Sequence, residues 1–197
     1  MSRGLIVVDV QNDFCEGGSV PVAGGAQIAT AIAELVEQAA GRDYRCVVAT
    51  RDHHIDPGSH FSENPDFRDS FPVHCVAGQQ GGEFHPHFAP AATSGKIDAV
   101  FFKGAHSASK SGFEGADEQG VPLADWLRAR GVEEVDVVGI ATDHCVRATA
   151  LDAVKAGFRA RVLLDYSVGV APDTTASTLD DFRRAGVAVS GETPVPR

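Results

Sequence analysis

The sequence predicts an α/β protein built on one six-stranded, mainly parallel sheet. Short apolar runs rich in β-branched residues alternate along the 197-residue chain with segments whose apolar residues recur every three or four positions. The first run, residues 4–10, is almost continuously apolar, as in strands buried on both faces. Helical crossovers between such strands place helices on both faces of a parallel sheet. The length suits a single domain covering residues 1–197.

The predicted strands and helices follow one another in regular order. Gly41, Gly131 and Gly186 each stand where a helical pattern stops, and glycine commonly ends a helix in the left-handed conformation. The tail from Gly191 is expected to fray. We predict strands at residues 4–10, 44–50, 99–103, 135–140, 161–165 and 187–190, and helices at 26–40, 123–130, from 142 or 143 to 157, and 173–185.

Composition narrows the possible partners and the compartment. The formal net charge of −10 argues against nucleic acid or an anionic membrane surface as a partner. The four cysteines lack CxxC spacing, which favours reduced thiols over a disulfide framework. The sequence shows no signal-peptide pattern and no apolar run of membrane-spanning length. We therefore expect a cytoplasmic enzyme, either a monomer or a small homo-oligomer.

Residues 139–147 join the fourth predicted strand to a helix. Thr142 and Asp143 are both good N-cap residues, so Cys145 is expected in the first helical turn. The free N–H groups and the positive end of the helix favour a thiolate there, although an inert buried cysteine is an equally common outcome. His144 is expected to point about 100° away around the helix and to have at most a secondary role.

Charged residues also end other predicted strands. The carboxyl ends of parallel strands share one edge, where ligands bind. We therefore expect Asp9, Asp52, Lys103 and Cys145 to form one site. Asp9 would act as the base and Lys103 as the cation that a cysteine nucleophile needs. Taken singly, an Asx turn at Asp9 and a solvated strand-end lysine remain alternatives.

The surroundings of the nucleophile suggest how a substrate is held. The N–H groups of Ala141 and Cys145 are the natural donors of an oxyanion hole at this turn. Phe14 and Phe71 offer flat apolar walls for a planar substrate, although core packing is the commoner role of phenylalanine.

A loop at about residues 51–90 has the composition of a metal site. It carries five of the ten prolines and six of the eight histidines and shows little periodicity. Asp52 and His54 are two apart, so their side chains point the same way in extended backbone. With His60 and His74 they provide one carboxylate and three imidazoles, a donor set that suits Zn²⁺, Fe²⁺ or Mn²⁺. A surface loop that happens to be rich in histidine is the alternative.

These motifs closely resemble those of the nicotinamidase/pyrazinamidase branch of the isochorismatase-like cysteine hydrolases. DVQNDF at 9–14, DHH at 52–54 with the two later histidines, FKG at 102–104 and GIATDHCV at 139–146 occur in the family's order. The resemblance runs from residue 4 to about 190. It implies a three-layer α/β/α sandwich with a Rossmann-like sheet. It also implies hydrolysis of nicotinamide to nicotinate and ammonia in NAD salvage, and of pyrazinamide to pyrazinoate.

The resemblance also implies roles for individual residues. A non-proline cis peptide is expected before Ala141. Phe71 stands where tryptophan is common in the family, and Lys110 where some members have tyrosine, which leaves the substrate range open. The family's catalytic triad matches Asp9, Lys103 and Cys145, and the ligands of its one divalent metal match Asp52, His54, His60 and His74.

Three other functions fit parts of the sequence. A hydrolase of another small amide, such as an N-carbamoyl compound, or an isochorismatase would share the superfamily, but those branches are not generally metal-dependent. A non-catalytic metal-binding module leaves Asp9 and Lys103 unexplained. A thiol redox protein is disfavoured by the absence of CxxC spacing.

Overall fold

The computed structural model describes residues 2–194 and contains a six-stranded sheet with helices on both faces. The spatial order of the strands is β3-β2-β1-β4-β5-β6, and every pairing is parallel. The predicted α/β class is confirmed, and the sheet is parallel throughout. The strands are β1 Arg3–Val8, β2 Cys46–Asp52, β3 Ala99–Lys103, β4 Glu134–Ile140, β5 Arg159–Val168 and β6 Ala188–Ser190.

Five α-helices cover the sheet in the described part of the chain. Most predicted bounds agree with the structure to within two residues, but the short second helix was not predicted. β5 is longer than predicted because it resumes pairing with β4 after a register shift between Val137 and Gly139. The tail from Gly191 was predicted to fray, and its last residues, 195–197, lie outside the residues that the structure describes. The helices are α1 Gly25–Ala39, α2 Ala89–Thr93, α3 Leu123–Ala129, α4 Arg147–Lys155 and α5 Pro172–Ala185.

β1 lies at the centre of the sheet, and its side chains alternate between two separate cores. Leu5 and Val7 pack on the α1 side, whereas Ile6 and Val8 pack on the side of α3, α4 and α5. All four are fully buried, which explains the unbroken apolar run in the sequence. The two cores make the molecule the three-layer sandwich that the resemblance implied.

The strand order places a topological switch point at β1. The chain proceeds from β1 outward to β2 and β3, then returns to the other side of β1 as β4. At such a point the carboxyl ends of neighbouring strands border a crevice. Gly139 lets β4 approach β1 closely at this point, because a β-carbon there would lie 2.1 Å from the Val8 carbonyl oxygen.

The segment between β2 and α2 crosses this carboxyl edge with little regular structure. It contains 3₁₀ turns at Gly58–His60 and Gln80–Gly82 and isolated bridges that join His54 to Val76 and Phe61 to Phe71. Among residues 2–194, no helix is both long and apolar enough to cross a bilayer. All four cysteines are free, in agreement with the prediction of reduced thiols, and all four are buried.

Candidate active site

The cysteine turn, Thr142–Val146, leads from β4 into α4 as a single π-helical turn. Cys145 lies in this turn and is buried. The prediction that Thr142 or Asp143 caps the helix is wrong, because Ala141 holds the N-cap position and no side chain caps the turn. Both polar side chains have other partners.

Asp143 instead binds the backbone that leads into α5. Its carboxylate accepts hydrogen bonds from the Val170 N–H at 2.9 Å and the Ala171 N–H at 3.3 Å, immediately before α5. Thr142 Oγ1 lies 2.7 Å from Ser167 Oγ in β5. These bonds tie the cysteine turn to the end of β5 and the start of α5.

The peptide bond between Ile140 and Ala141 is cis, as the resemblance implied. Within residues 2–194, the Ala141 N–H donates no hydrogen bond. Ala141 lines the same cavity as Cys145. A free backbone donor beside the sulfur is what an oxyanion hole requires.

Lys103 connects three acidic groups at the carboxyl edge. Its Nζ lies 2.8 Å from Asp9 Oδ2 and 3.9 Å from Cys145 Sγ, and it donates a hydrogen bond to Asp52 Oδ1. The Asp9, Asp52 and Lys103 side chains are almost fully buried, and Cys145 is 9% exposed. Ligand atoms of Asp9, Asp52 and Cys145 lie within 4.8 Å of one another. The structure therefore brings together the four residues predicted to share a site.

The electrostatics favour a resting thiol with a lysine-stabilised base beside it. Burial raises the pKa of Cys145 well above its usual value, because Lys103 only partly offsets the loss of water. Burial also raises the pKa of Asp9, and the positive charge of Lys103 opposes that rise. Burial alone would lower the pKa of Lys103, but Asp52 and Asp9 outweigh it and hold that pKa well above the ordinary value.

Thr50 supports Asp9 and was not identified from the sequence. Thr50 Oγ1 donates a hydrogen bond of 2.6 Å to Asp9 Oδ1. The other oxygen, Oδ2, touches Lys103 but has no well-directed donor among residues 2–194. Asp9 therefore keeps one oxygen available for a proton from Cys145.

Three buried histidines lie together where the sequence predicts a metal site. Ligand atoms of His54, His60 and His74 lie within 4.8 Å of one another. Asp52 Oδ2 lies 3.6 Å from His54 Nε2 and 3.9 Å from His74 Nε2. Asp52 therefore turns one oxygen to Lys103 and the other to the histidines.

Backbone carbonyls orient all three imidazoles. Nδ1 of His54, His60 and His74 lies 2.6, 3.0 and 2.7 Å from the carbonyl oxygens of Gly104, Asp69 and Pro72. Nδ1–H therefore donates and Nε2 keeps its lone pair, the arrangement usual for metal-binding histidine. His54 Nε2 is buried with no hydrogen-bond partner among the described residues. Burial lowers the pKa of His60 and His74, which keeps them neutral. The donor set fits one divalent metal ion.

Gln11 and Asp13 organise the site, although the sequence motif that contains them suggested no role for either. The Gln11 amide both donates to the Asp52 carbonyl and accepts from the Asp52 N–H, each at 2.9 Å. Asp13 Oδ2 accepts from the Cys75 N–H at 2.7 Å, next to His74. The partners in these contacts are more than 40 residues apart in the sequence, so no local sequence pattern predicts them.

A cavity of about 90 Å³ opens beside the cysteine and the metal ligands. Phe14 and Phe71 line it as predicted, with the Phe71 ring centroid 5.4 Å from that of His60. The volume suits one small ring rather than a drug-sized ligand. Lys110 also lines it, at the position that the resemblance linked to the substrate range. Residues that line it without having been predicted to do so are Val20, Pro21, Val22, Phe67, Ser109, Ile140, His144 and Val170.

Comparison with known proteins agrees with this geometry. The isochorismatase domain matches residues 3–193. The chain is 58% identical to the nicotinamidase/pyrazinamidase of Mycobacterium tuberculosis, over 94% of this chain and 96% of that protein. It also resembles a zinc complex of Pyrococcus horikoshii pyrazinamidase, with TM-score 0.77, 33% identity and coverage of 96% and 99%. A nicotinate complex from L. infantum gives TM-score 0.81, 32% identity and coverage of 96% and 92%. The chain belongs to the isochorismatase-like cysteine hydrolases, in their nicotinamidase/pyrazinamidase branch.

Proposed function

We propose that this chain hydrolyses nicotinamide to nicotinate and ammonia, and pyrazinamide to pyrazinoate, through a thioester on Cys145. One observation carries the proposal: Asp9, Lys103 and Cys145 meet beside a three-histidine, one-carboxylate cluster in a cavity of about 90 Å³. The activities named for the relatives support this substrate class. A role in NAD salvage and a cytoplasmic location are part of the proposal.

The first half of the reaction forms the thioester. The ring lies between Phe14 and Phe71, and Asp9 removes the proton of Cys145 as the sulfur attacks the amide carbon. The N–H groups of Ala141 and Cys145 hold the oxyanion. Asp9 then returns the proton to the departing nitrogen, the C–N bond breaks, and ammonia leaves.

The second half hydrolyses the thioester. Asp9 takes a proton from water, whose oxygen attacks the thioester carbon, and the same two N–H groups hold the new oxyanion. The C–S bond breaks and the sulfur takes back the proton that Asp9 removed from water. The product acid loses its own proton to solvent and leaves as nicotinate, so the enzyme returns to its starting state. Lys103 keeps Asp9 ionised between the two halves and stabilises the charged transition states.

Asp52, His54, His60 and His74 would hold the metal, which we propose to be Fe²⁺, Zn²⁺ or Mn²⁺. When bound, the ion would act as a Lewis acid toward the ring nitrogen, directly or through water, and would help to orient the ring. The chain's own residues carry out the proton transfers and form the covalent bond.

An ammonia-release assay with nicotinamide tests the proposal. Cys145→Ala should lower kcat by at least about 10³-fold, because nucleophile and base act as a unit. Its circular dichroism and melting temperature should stay close to those of the parent. Cys46→Ala is the matched control, a buried cysteine at the start of β2 that should keep normal turnover. Near-normal ammonia release by Cys145→Ala would refute the mechanism.

A further inference from the structure

One phenylalanine of the cavity is far more exposed than the other two. Phe14, Phe67 and Phe71 all line the cavity, but Phe14 and Phe71 are half-buried whereas Phe67 is 60% exposed. The ring centroids of Phe67 and Phe71 lie 6.3 Å apart, with an angle of 85° between the ring planes. A residue that lines a cavity and is mostly exposed lies at its mouth. Phe67 therefore stands at the entrance, edge-on to the Phe71 wall.

The backbone of Phe67 adopts an uncommon conformation for a bulky residue. Its φ is +54°, in the left-handed region that glycine and asparagine occupy most easily. Core packing does not explain an aromatic ring at this position, because most of the residue faces solvent. Strained backbone beside a cavity points to a functional use of the side chain that it displays.

The turn that carries Phe67 is held at several points. The Phe67 N–H donates to the Ser70 carbonyl oxygen at 3.0 Å, and the Ser70 N–H donates to Asp66 Oδ1 at 2.9 Å. Lys110, from the loop after β3, donates through Nζ to the Arg68 carbonyl oxygen at 2.5 Å. Because these bonds fix the backbone, the place of the Phe67 ring is set before a ligand enters, which lowers the entropy lost on binding.

The proposed function determines which edge of a bound ring faces the mouth. In nicotinamide, one ring carbon separates the ring nitrogen from the carbon that carries the amide, so both lie on the same edge of the ring. The metal ligands and Cys145, which would hold these two groups, are each at most 9% exposed. That edge therefore points into the protein. The opposite edge, centred on ring carbon C5, points toward the mouth, where Phe67 lies.

We propose that Phe67 is a substrate-binding residue that limits the size of groups on this outer edge. Its ring packs against the C5 edge of bound nicotinamide and leaves no room for a larger group there. The inference rests on the proposed function, since the metal ligands and the nucleophile orient the ring. It explains why an aromatic side chain is held in a left-handed conformation at an exposed position, where the ligand covers one side of it.

Two ligands that differ only at C5 test the role of Phe67. The dissociation constants of nicotinamide and 5-ethylnicotinamide are measured by calorimetry on the metal-loaded Cys145→Ala enzyme, with and without Phe67→Asn. Asparagine tolerates the left-handed backbone, so the turn should keep its shape. We expect nicotinamide to bind about 5- to 10-fold more weakly, as for about 50 Å² of apolar surface returned to water. The affinity for 5-ethylnicotinamide should stay the same or rise, so the preference for nicotinamide falls at least about 5-fold.

Three controls separate binding from structure. Phe67→Tyr retains the ring and should retain the preference. Ile55→Asn alters a residue of the same segment that is 59% exposed but does not line the cavity, and it should change neither affinity. In an enzyme that retains Cys145, Phe67→Asn should raise KM for nicotinamide and leave kcat within about twofold, because the ring does not touch the reacting atoms. Its melting temperature and metal content should match those of the parent.

An unchanged preference in Phe67→Asn, or the same loss of preference in Ile55→Asn, would overturn the assignment. A lowered melting temperature or a loss of metal in Phe67→Asn would overturn it as well, because the residue would then act on the structure. Failure of the proposed function is a different result, in which the parent enzyme binds nicotinamide and releases no ammonia from it.

Discussion

At the scale of single residues, Asp52 joins the two halves of the site. One of its oxygens accepts a hydrogen bond from Lys103, and the other faces His54 and His74. Lys103 in turn lies between Asp52 and Asp9. A buried ammonium is stable only when opposite charges compensate for its lost water, and two carboxylates do so here. The metal ligands and the proposed proton acceptor are therefore electrostatically coupled.

Thr50 should influence the pH below which kcat/KM falls, through the pKa of Asp9. Its hydrogen bond stabilises the ionised form of Asp9 and so lowers the pKa of that carboxyl, against the rise caused by burial. The base must be ionised, so kcat/KM falls as pH drops through this pKa. Thr50→Val, which is nearly isosteric, should move the acid limb of kcat/KM upward by about one pH unit.

The control for Thr50→Val is Thr178→Val, which alters a threonine equally buried in α5. Its pH profile should match that of the parent. An acid limb that stays in place in Thr50→Val would show that Asp9 does not control it.

At the scale of elements, the order of the long segment between β2 and α2 is expected to depend on the metal that its histidines would bind. Its three histidines are oriented by carbonyls at separate points of the backbone, and isolated β-bridges rather than a continuous sheet connect those points. A bound metal would hold them together. Removal of the metal by a chelator should therefore lower the melting temperature, loosen the turn around the already exposed Arg68 so that trypsin cleaves after it, and abolish ammonia release. Addition of Zn²⁺, Fe²⁺ or Mn²⁺ should reverse all three effects. If a fully demetallated enzyme melts earlier but keeps its turnover, the metal is structural only.

Asp66 shapes the part of this crossing that forms the cavity wall. Its Oδ1 accepts hydrogen bonds from the N–H groups of Arg68, Asp69 and Ser70 at 2.9 to 3.0 Å. The loop then presents the carbonyl that orients His60 and the ring of Phe71. Asp66→Ala should raise KM for nicotinamide several-fold with a smaller effect on kcat, because it disturbs the wall and leaves the nucleophile intact.

Asp117→Ala is the matched control for Asp66→Ala. Asp117 organises another exposed turn in the same way, by accepting from the Gln119 and Val121 N–H groups, but it does not line the cavity. Steady-state kinetics of the two variants show whether KM for nicotinamide depends on the Asp66 turn. Equal KM values would mean that the Asp66 turn does not shape the binding site.

At the scale of the whole molecule, the features predicted correctly are those with a local signal. The apolar run of β1 and the spacing of Asp52 and His54 are visible in a few consecutive residues. Thr50 and Gln11 resemble ordinary strand and turn residues, because each acts on a partner 41 positions away. The N-cap of the cysteine turn was mispredicted for the same reason. Asp143 is a good cap, but the start of α5 lies close enough in space to take its carboxylate.

The two ends of the strands have different roles in the molecule. The carboxyl edge carries the site, whereas the opposite edge carries a buried charge cluster around Asp136 in β4. Asp136 is 1% exposed and accepts hydrogen bonds from Tyr44 at 2.8 Å and from Arg161 at 2.9 and 2.6 Å. This cluster joins β4 and β5 to the turn between α1 and β2, where Tyr44 lies, and takes no part in the proposed reaction.

Arg161→Met should therefore lower stability without changing catalysis. It leaves Asp136 buried without its two-pronged partner. The cost should be about 1–3 kcal/mol in the free energy of unfolding, less than for a fully buried pair because the Arg161 side chain is 36% exposed. Arg159→Met is the control: the Arg159 side chain is 70% exposed and pairs with Glu134, so its loss should cost less than about 1 kcal/mol. Urea denaturation measures the first quantity and ammonia release at 25 °C the second. A fall in kcat/KM in Arg161→Met, with the protein still folded, would show that the two edges are coupled through the strands between them.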